Sequence, residues 1–196
     1  MIYDISQPVF ECEVYPGDPK PEKTELKRIG KGDLYNMTAI SLCVHNGTHI
    51  DAPLHFLRDG NGVDRIDLAR FIGPAYVETF HGEVSGSDAE HLLAHARNAH
   101  PQAWKKILIK GDAVITSKAA AVFAEAGIDL IGNESQSVGP VNAPMAVHLI
   151  LLKKDIVLLE GIRLTHVPDG VYLLNCAPLN LTDTDGAPCR AVLMEL

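Results

Sequence analysis

Four side chains that can bind a metal ion or carry a proton fall within one eleven-residue stretch: His45, His49, Asp51 and His55. A helix is not expected here, because Gly47 and Pro53 interrupt it and a proline also disfavours helical backbone in the preceding residue. In an extended chain alternate side chains share a face, so this odd-numbered set can converge if the chain bends at residues 46–47. Imidazole and carboxylate groups are ligands of zinc, manganese and iron. The stretch therefore predicts a metal site.

Two further ionisable residues stand alone in apolar surroundings later in the chain. His148 lies in the apolar segment 145–153, which predicts a buried helix, and Glu160 ends the apolar run 156–159, which predicts a buried strand. The chain travels about 9 Å along the helix after His148 at about 1.5 Å per residue, and can return a comparable distance at about 3.3 Å per residue of strand. The two side chains can thus join the first four in a six-member set that could hold two cations, bridged by Asp51 or Glu160.

The composition limits the class of protein. The chain has 196 residues, of which 46% are hydrophobic and 21% are charged, and this suits a single domain over residues 1–196. The net charge is −8 without a basic run, so nucleic acid is not an expected partner. We find no secretory signal and no membrane-spanning run, and the four cysteines are scattered without a Cys-x-x-Cys pair. We therefore expect a cytoplasmic protein with free thiols and no membrane association.

The elements that must position these residues alternate between strands and helices, which indicates an α/β fold. Residues 1–21 carry four prolines and predict an extended arm, and a strand from residue 33 leads into the site. Helices are expected over residues 88–99, 117–126 and 145–153, and the main further strands over residues 75–80, 107–112, 128–132, 156–159 and 171–177. The N-cap of the first helix is expected at Ser87 or Asp88. His91 and His95 on that helix lack the His-Glu-x-x-His arrangement and indicate a solvated face.

The motifs together resemble a known family. His-x-Gly-Thr-His-x-Asp-x-Pro-x-His-Phe at residues 45–56 is followed by His-x-x-Leu-Leu at 148–152, Leu-Glu-Gly at 159–161 and Gly-Ala-Pro-x-Arg-Ala-Val-Leu at 186–193. This order is similar to the metal-dependent cyclase family that includes bacterial kynurenine formamidases, and it spans nearly the whole chain. The resemblance implies a single-domain swivelling β/β/α fold with a mixed sheet, a homodimer or homotetramer, and a two-metal hydrolytic centre.

The resemblance also implies which residues bind each metal. His45, His49 and Asp51 would bind one divalent cation, and Asp51, His148 and Glu160 would bind a second. Zinc is the expected metal, with manganese and iron as alternatives for the same nitrogen and oxygen ligands.

The resemblance further implies roles around the metals. His55 matches the general acid/base of the family, and Tyr15, Glu134 and Ser137 match positions near the substrate. The kynurenine formamidases tend to carry Trp before the Pro-Gly-Asp turn and Phe two residues after it, where this chain has Tyr15 and Lys20. A flat aryl ring is held largely by apolar contact, and this chain lacks those two aromatic residues. Lactams, esters and other amides therefore stay open as substrates.

The predicted reaction is hydrolysis of a formamide-type C–N bond, with N-formyl-kynurenine as one candidate substrate. A bound cation lowers the pKa of water from near 16 to about 7 and polarises the carbonyl, while His55 passes a proton to the leaving nitrogen. Cyclisation or dehydration at the same centre remains an alternative, as does a non-enzymatic metal-dependent small-molecule binding protein. A covalent serine or cysteine hydrolase is not expected, since no Gly-x-Ser-x-Gly is present.

Overall fold

Nine of thirteen strands form one mixed sheet in the computed structural model, which describes residues 1–196. The strands are β1 (Ile2–Asp4), β2 (Glu22–Lys27), β3 (Met37–Ser41), β4 (His49–Asp51), β5 (Ile72–Thr79), β6 (Glu83–Val84), β7 (Lys106–Lys110), β8 (Val114–Ile115), β9 (Leu130–Asn133), β10 (Val157–Glu160), β11 (Gly170–Asn175), β12 (Gly186–Pro188) and β13 (Val192–Glu195). The helices are α1 (Gly86–Ala99), α2 (Ser117–Ala126) and α3 (Met145–Leu152). The α/β class and the mixed sheet predicted from the sequence are confirmed. None of the helices has both the length and the apolar character that a bilayer crossing requires.

The sheet has a parallel centre and antiparallel edges. Its strand order is β1-β13-β11-β5-β7-β9-β10-β4-β12. Strands β5, β7, β9 and β10 run parallel, whereas β4 is antiparallel to both β10 and β12. The short strand β4 is thereby fixed between two neighbours, although it contains only three residues.

Both faces of the central strands are covered, which explains their continuous apolar sequences. On one face Ile107 and Ile109 of β7 join the core beneath the three helices. On the other face Leu108 of the same strand joins a second core. Successive side chains of a strand point to opposite faces, so a strand buried on both sides needs an apolar residue at every position.

The helix boundaries follow local capping chemistry. Helix α2 begins after Thr116, whose side chain accepts a hydrogen bond from the amide of Ala119, and ends at Gly127 in the left-handed conformation. Helix α1 begins earlier than expected. Its N-cap is Ser85, which forms a capping box with Asp88, so the N-cap predicted at Ser87 or Asp88 was wrong.

The stretch predicted to bind metal, residues 45–55, is extended only at its centre. His49 and Asp51 lie in β4, but His45 lies in a turn and His55 ends a single 3₁₀ turn. The predicted bend occurs at Gly47, whose φ is +69°. Alternation along one strand therefore aligns His49 with Asp51 only, and the two flanking turns bring His45 and His55 to the same place.

Strands β2 and β3 form a separate antiparallel hairpin outside the main sheet. Every residue of both strands is exposed. Six large apolar side chains of the hairpin and its connecting loop face solvent: Leu26, Ile29, Leu34, Tyr35, Met37 and Ile40. The expected strand from residue 33 is thus shorter than predicted and stops before the site.

Candidate metal centre

One oxygen atom of Asp51 lies between two imidazoles of the first motif. The Oδ1 atom of Asp51 is 2.9 Å from Nδ1 of His45 and 3.3 Å from Nε2 of His49. His49 and Asp51 are each 1% exposed. The β4 strand directs both of these side chains to one face, and the turn at Gly47 returns His45 to the same oxygen.

The other oxygen atom of Asp51 faces a second group of donors. Its Oδ2 atom is 3.5 Å from Nε2 of His148, and that nitrogen is 3.3 Å from Oε1 of Glu160. Glu160 lies directly opposite His49 in the β10–β4 pairing, and its Oε2 atom is 3.5 Å from Nε2 of His49. Helix α3 and strand β10 therefore bring His148 and Glu160 side by side, as the sequence predicts.

Each imidazole of the cluster has one nitrogen held by an acceptor outside the cluster. Nδ1 of His49 donates to the carbonyl of Gly47 at 3.0 Å, and Nδ1 of His148 donates to the carbonyl of Pro144 at 2.9 Å. Nε2 of His45 lies 2.8 Å from Oδ2 of Asp185. Such outer contacts fix the orientation of metal-binding imidazoles and leave the other nitrogen free for a cation.

Neighbouring carboxylates raise the pKa of three imidazoles. Burial alone would lower the pKa of His45, but hydrogen bonds to Asp185 and Asp51 outweigh it and raise the pKa to about 10. The pKa values of His49 and His148 also rise to about 10 against burial, through the two central carboxylates. Burial would raise the pKa of Asp51, but hydrogen bonds from the imidazoles hold it well below its usual range. A cation that enters the cluster must therefore compete with protons for the same nitrogen atoms.

The donor set fits a divalent cation. Two ligands about 2.1 Å from a tetrahedrally coordinated ion lie about 3.4 Å apart, and the donor separations given above run from 2.9 to 3.5 Å. His49, Asp51 and Glu160 offer ligand atoms within 4.8 Å of one another, and so do His45, Asp51 and His55. The donors are nitrogen and oxygen only, which suits zinc, manganese and iron.

His55 is close to the cluster but more open than the other imidazoles. Its Nε2 atom is 3.9 Å from Oδ2 of Asp51, and its side chain is 27% exposed. Its other nitrogen, Nδ1, lies 3.1 Å from Oδ2 of Asp185. This position at the mouth of the cluster suits a proton carrier, which must contact both the reacting groups and the cavity.

A cavity of about 220 Å³ opens over the cluster, and its lining includes Tyr15, Phe56 and Ser137. The hydroxyl of Tyr15 donates to the carbonyl of Val141, so it already has a hydrogen-bond partner. The hydroxyl of Ser137 is buried and has no hydrogen-bond partner. Two of the three expected substrate contacts, Tyr15 and Ser137, therefore line the cavity, although the hydroxyl of Ser137 is itself buried.

Glu134, the third expected substrate contact, does not line this cavity. Its carboxylate accepts hydrogen bonds from the backbone amides of Gly111 and Leu164, each at 2.7 Å. These hydrogen bonds connect two loops, so the geometry gives Glu134 a structural role. Lys20 is exposed and also lies outside the cavity lining.

Sequence reasoning missed three polar residues at the site: Asp18 and Gln136, which line the cavity, and Asp185, which contacts two imidazoles. Asp185 contacts both His45 and His55, and its position directly before the Gly-Ala-Pro motif at residues 186–193 was the available signal. Gln136 lines the cavity, and both atoms of its side-chain amide are buried without a hydrogen-bond partner. Its place between Glu134 and Ser137, in a loop after a buried strand, was the available signal.

The family of the chain follows from comparison with known proteins. The family model described as "Putative cyclase" matches residues 3–140. The chain belongs to this cyclase family. The resemblance found in the sequence motifs is thereby confirmed.

Relatives within the cyclase family match the chain along nearly its whole length. The kynurenine formamidase of Salinibacter ruber is 34% identical over 212 residues, which cover 99% of this chain and 97% of the relative. The kynurenine formamidase of Bacillus mycoides is 34% identical over 209 residues, which cover 98% and 97%. A solved structure described as a "Potential Metal-Dependent Hydrolase With Cyclase Activity" superimposes with a TM-score of 0.81 at 27% identity, covering 98% of this chain and 96% of that chain. These matches support a metal-dependent hydrolase that acts on non-peptide amide bonds of a small molecule.

Proposed function

We propose that this member of the cyclase family hydrolyses a formamide-type C–N bond, with N-formyl-kynurenine as the first substrate to test. The observation that carries the proposal is the arrangement of His55. Three imidazoles and two carboxylates form a buried donor cluster, while this fourth imidazole stands beside the cluster and borders the cavity. The names of the curated relatives support the same substrate class.

The roles of the residues follow from their positions. A divalent cation, when bound, supplies the acidity that activates water and the positive charge that polarises a carbonyl. His45, His49 and Asp51 would hold one cation, and Asp51, His148 and Glu160 a second. His55 accepts a proton from the attacking water at Nε2 and returns it to the leaving nitrogen.

We propose two zinc ions per chain. The two oxygen atoms of Asp51 face different donor groups, which supports a bridging carboxylate. Elemental analysis of protein purified without chelator should give close to two metals per chain, with zinc in excess of manganese and iron. A value near one would leave a single site, and a value near zero after resupply with zinc or manganese would contradict the centre as a whole.

The cavity supports a flat, partly apolar substrate. The rings of Tyr15 and Phe56 both line it, and an aromatic ring gains affinity from such apolar contact and stacking. Its volume of about 220 Å³ suits a small molecule. Turnover of N-formyl-kynurenine that chelation abolishes would support the formamidase activity. Metal content without this turnover would favour the lactams, esters and other amides that the sequence left open.

His55→Ala tests the proton carrier. We expect this variant to keep its metal and to lose turnover by about 10²–10⁴-fold, the usual contribution of general acid–base catalysis. His91→Ala is a matched control, because His91 is exposed on helix α1 far along the chain from the motif. Retained turnover would reject the proton-carrier role, and loss of metal would make His55 a ligand.

We also propose that the chain forms a homodimer or homotetramer through the β2–β3 hairpin. A two-stranded hairpin is marginally stable alone in water, and this one exposes six large apolar side chains. Packing against a second copy would bury them. Ile40→Asp should shift the oligomer toward monomer in light scattering after gel filtration, whereas Leu68→Asp, at an equally exposed site elsewhere, should not. A monomeric parent chain would contradict this part of the proposal.

A cytoplasmic location completes the proposal. All four cysteines, at positions 12, 43, 176 and 189, are free thiols, and free thiols persist in a reducing compartment. Fractionation of cells that express a tagged chain should recover it with cytoplasmic markers. Recovery in a membrane or secreted fraction would contradict the location.

A further inference from the structure

Asp185 lies next to the cluster because of strand pairing. It immediately precedes β12, whose Gly186 lies opposite Asp51 of β4. Its carbonyl accepts a hydrogen bond from the amide of Ala52 at 2.9 Å. The backbone of Asp185 is therefore fixed against the metal-binding strand, although its side chain is 43% exposed.

One carboxylate oxygen of Asp185 contacts two imidazoles with different proposed roles, a metal ligand and the proton carrier. Oδ2 lies 2.8 Å from Nε2 of His45 and 3.1 Å from Nδ1 of His55. The centroids of these two rings are only 4.1 Å apart. The acceptors behind His49 and His148 are neutral backbone carbonyls, whereas this acceptor is charged and serves two rings at once. Hydrogen bonds to a charged acceptor are about twice as strong as neutral ones.

The residue after Asp185 is adapted to the same contact. A Cβ atom on Gly186 would lie 2.6 Å from the carbonyl oxygen of Ile50 and 2.9 Å from Cε1 of His45. Any side chain at this position would displace the ring of His45 or separate β12 from β4. The absence of a side chain thus lets the His45 ring lie against the backbone within reach of Asp185.

We propose that Asp185 is a positioning residue that holds a ring of the metal centre and the proton-carrying ring together through a single oxygen. Contact with Nε2–H of His45 leaves Nδ1 of that ring for a cation. Contact with Nδ1–H of His55 leaves Nε2 of that ring to accept a proton. This inference rests on the proposed function for His55, whereas its consequence for His45 depends only on metal binding.

The test compares two aspartates of the same loop. Asp185→Asn keeps the shape of the side chain and removes its charge, and should weaken metal affinity and lower kcat by about 10–100-fold each, with a smaller change in KM. Asp183→Asn makes the same chemical change at a side chain that is 64% exposed and pairs with Arg65. Such surface pairs contribute about 0–1 kcal/mol, so this control should leave both quantities within about threefold of the parent. Asp185→Glu, which restores the charge, should recover part of the metal affinity.

A double-mutant cycle separates positioning from a general structural effect. If Asp185 acts through His55, then Asp185→Asn should lower kcat much less in a His55→Ala background than in the parent. Equal losses in both backgrounds would overturn that half of the inference. Metal affinity, measured by competition with a chromogenic chelator, is read without any substrate. If the parent chain is inactive but Asp185→Asn still loses metal affinity, the formamidase activity is rejected and the positioning role of Asp185 is supported. If Asp185→Asn keeps the metal affinity and the kcat of the parent, the inference is overturned.

Discussion

Replacement of Gly161 by alanine tests whether backbone geometry behind His49 determines metal affinity. Gly161 follows Glu160 and has a φ of +68°. A Cβ atom there would lie 2.5 Å from the carbonyl oxygen of Gly47, the same oxygen that accepts the hydrogen bond from Nδ1 of His49. An ordinary contact begins near 3.4 Å, so this carbonyl would have to move by about 0.9 Å. The Cβ atom would also crowd Nε2 of Gln136 and Nε2 of Gln7, which are the ends of flexible side chains, whereas a displaced backbone carbonyl would move the ring of His49 that it holds.

The chain contains a matched control for this substitution. Gly127 also has a φ of +68°, but a Cβ atom there would meet nothing within 4 Å. Both alanines carry the cost of left-handed backbone, about 1–2 kcal/mol. Only Gly161→Ala adds the cost of overpacking, about 1–3 kcal/mol. In a chain of this size each kcal/mol lowers Tm by about 2–4 °C, so Gly161→Ala should melt about 2–12 °C below Gly127→Ala.

The two variants are compared first without metal and then in a chelator competition. Thermal melting of the metal-free chains, monitored by circular dichroism, gives the packing cost of Gly161→Ala alone. Displacement of the His49 ring should weaken metal affinity by about 10–100-fold, as the loss of other outer contacts does. Gly127→Ala should bind metal as the parent does. Equal metal affinity in the two variants would refute the reasoning, because it would mean that the Gly47 carbonyl does not hold His49 for the cation.

Two pH-dependent predictions follow from the raised pKa values of His45, His49 and His148, each about 10 in the folded chain. At pH 7 metal binding must displace protons from these rings, so titration calorimetry in buffers of different ionisation enthalpy should show proton release; a buffer-independent heat would contradict it. The stability that these groups give the metal-free chain is fully present below their unfolded pKa of about 6.5 and is lost as the pH rises through about 10. The Tm of the metal-free chain should therefore fall between pH 7 and pH 10; a Tm that rises over this range would contradict it.

Much of the site could be predicted because its signals are local. The motif at residues 45–56 places unusual residue types at short spacing, and His148 and Glu160 are isolated charges in apolar segments. Helix α2 was predicted with both its ends, because Gly127 is a strong stop signal and the left-handed residue after the helix is indeed glycine. For these elements, the relevant contacts either lie within a few residues along the chain or form between a helix and the strand that directly follows it.

Two features, the N-cap of helix α1 and the aspartate that contacts His45 and His55, could not be predicted because a similar residue lies close by in the chain. Ser85 and Ser87 are both competent N-caps, because each has an acidic residue three positions later, and the structure uses Ser85 with Asp88 as its capping box. Asp183 and Asp185 are likewise residues of the same type in one loop, although only Asp185 directly precedes the Gly-Ala-Pro motif. Asp183 pairs with Arg65 on the surface, whereas Asp185 directly precedes the strand that pairs with β4. The pairing of that motif with β4 is what gives Asp185 a different position from Asp183.

The register of three strands is therefore what assembles the centre. Strand β4 places His49 opposite Glu160 of β10 on one side and Asp51 opposite Gly186 of β12 on the other. A shift of either pairing by one residue would turn the partner side chains to the opposite face of the sheet. His49 and Glu160, and likewise Asp51 and Gly186, lie more than a hundred residues apart in the chain, yet two short backbone pairings fix their relative positions. Variants that weaken the β12–β4 pairing should consequently impair metal binding even though β12 itself supplies no ligand.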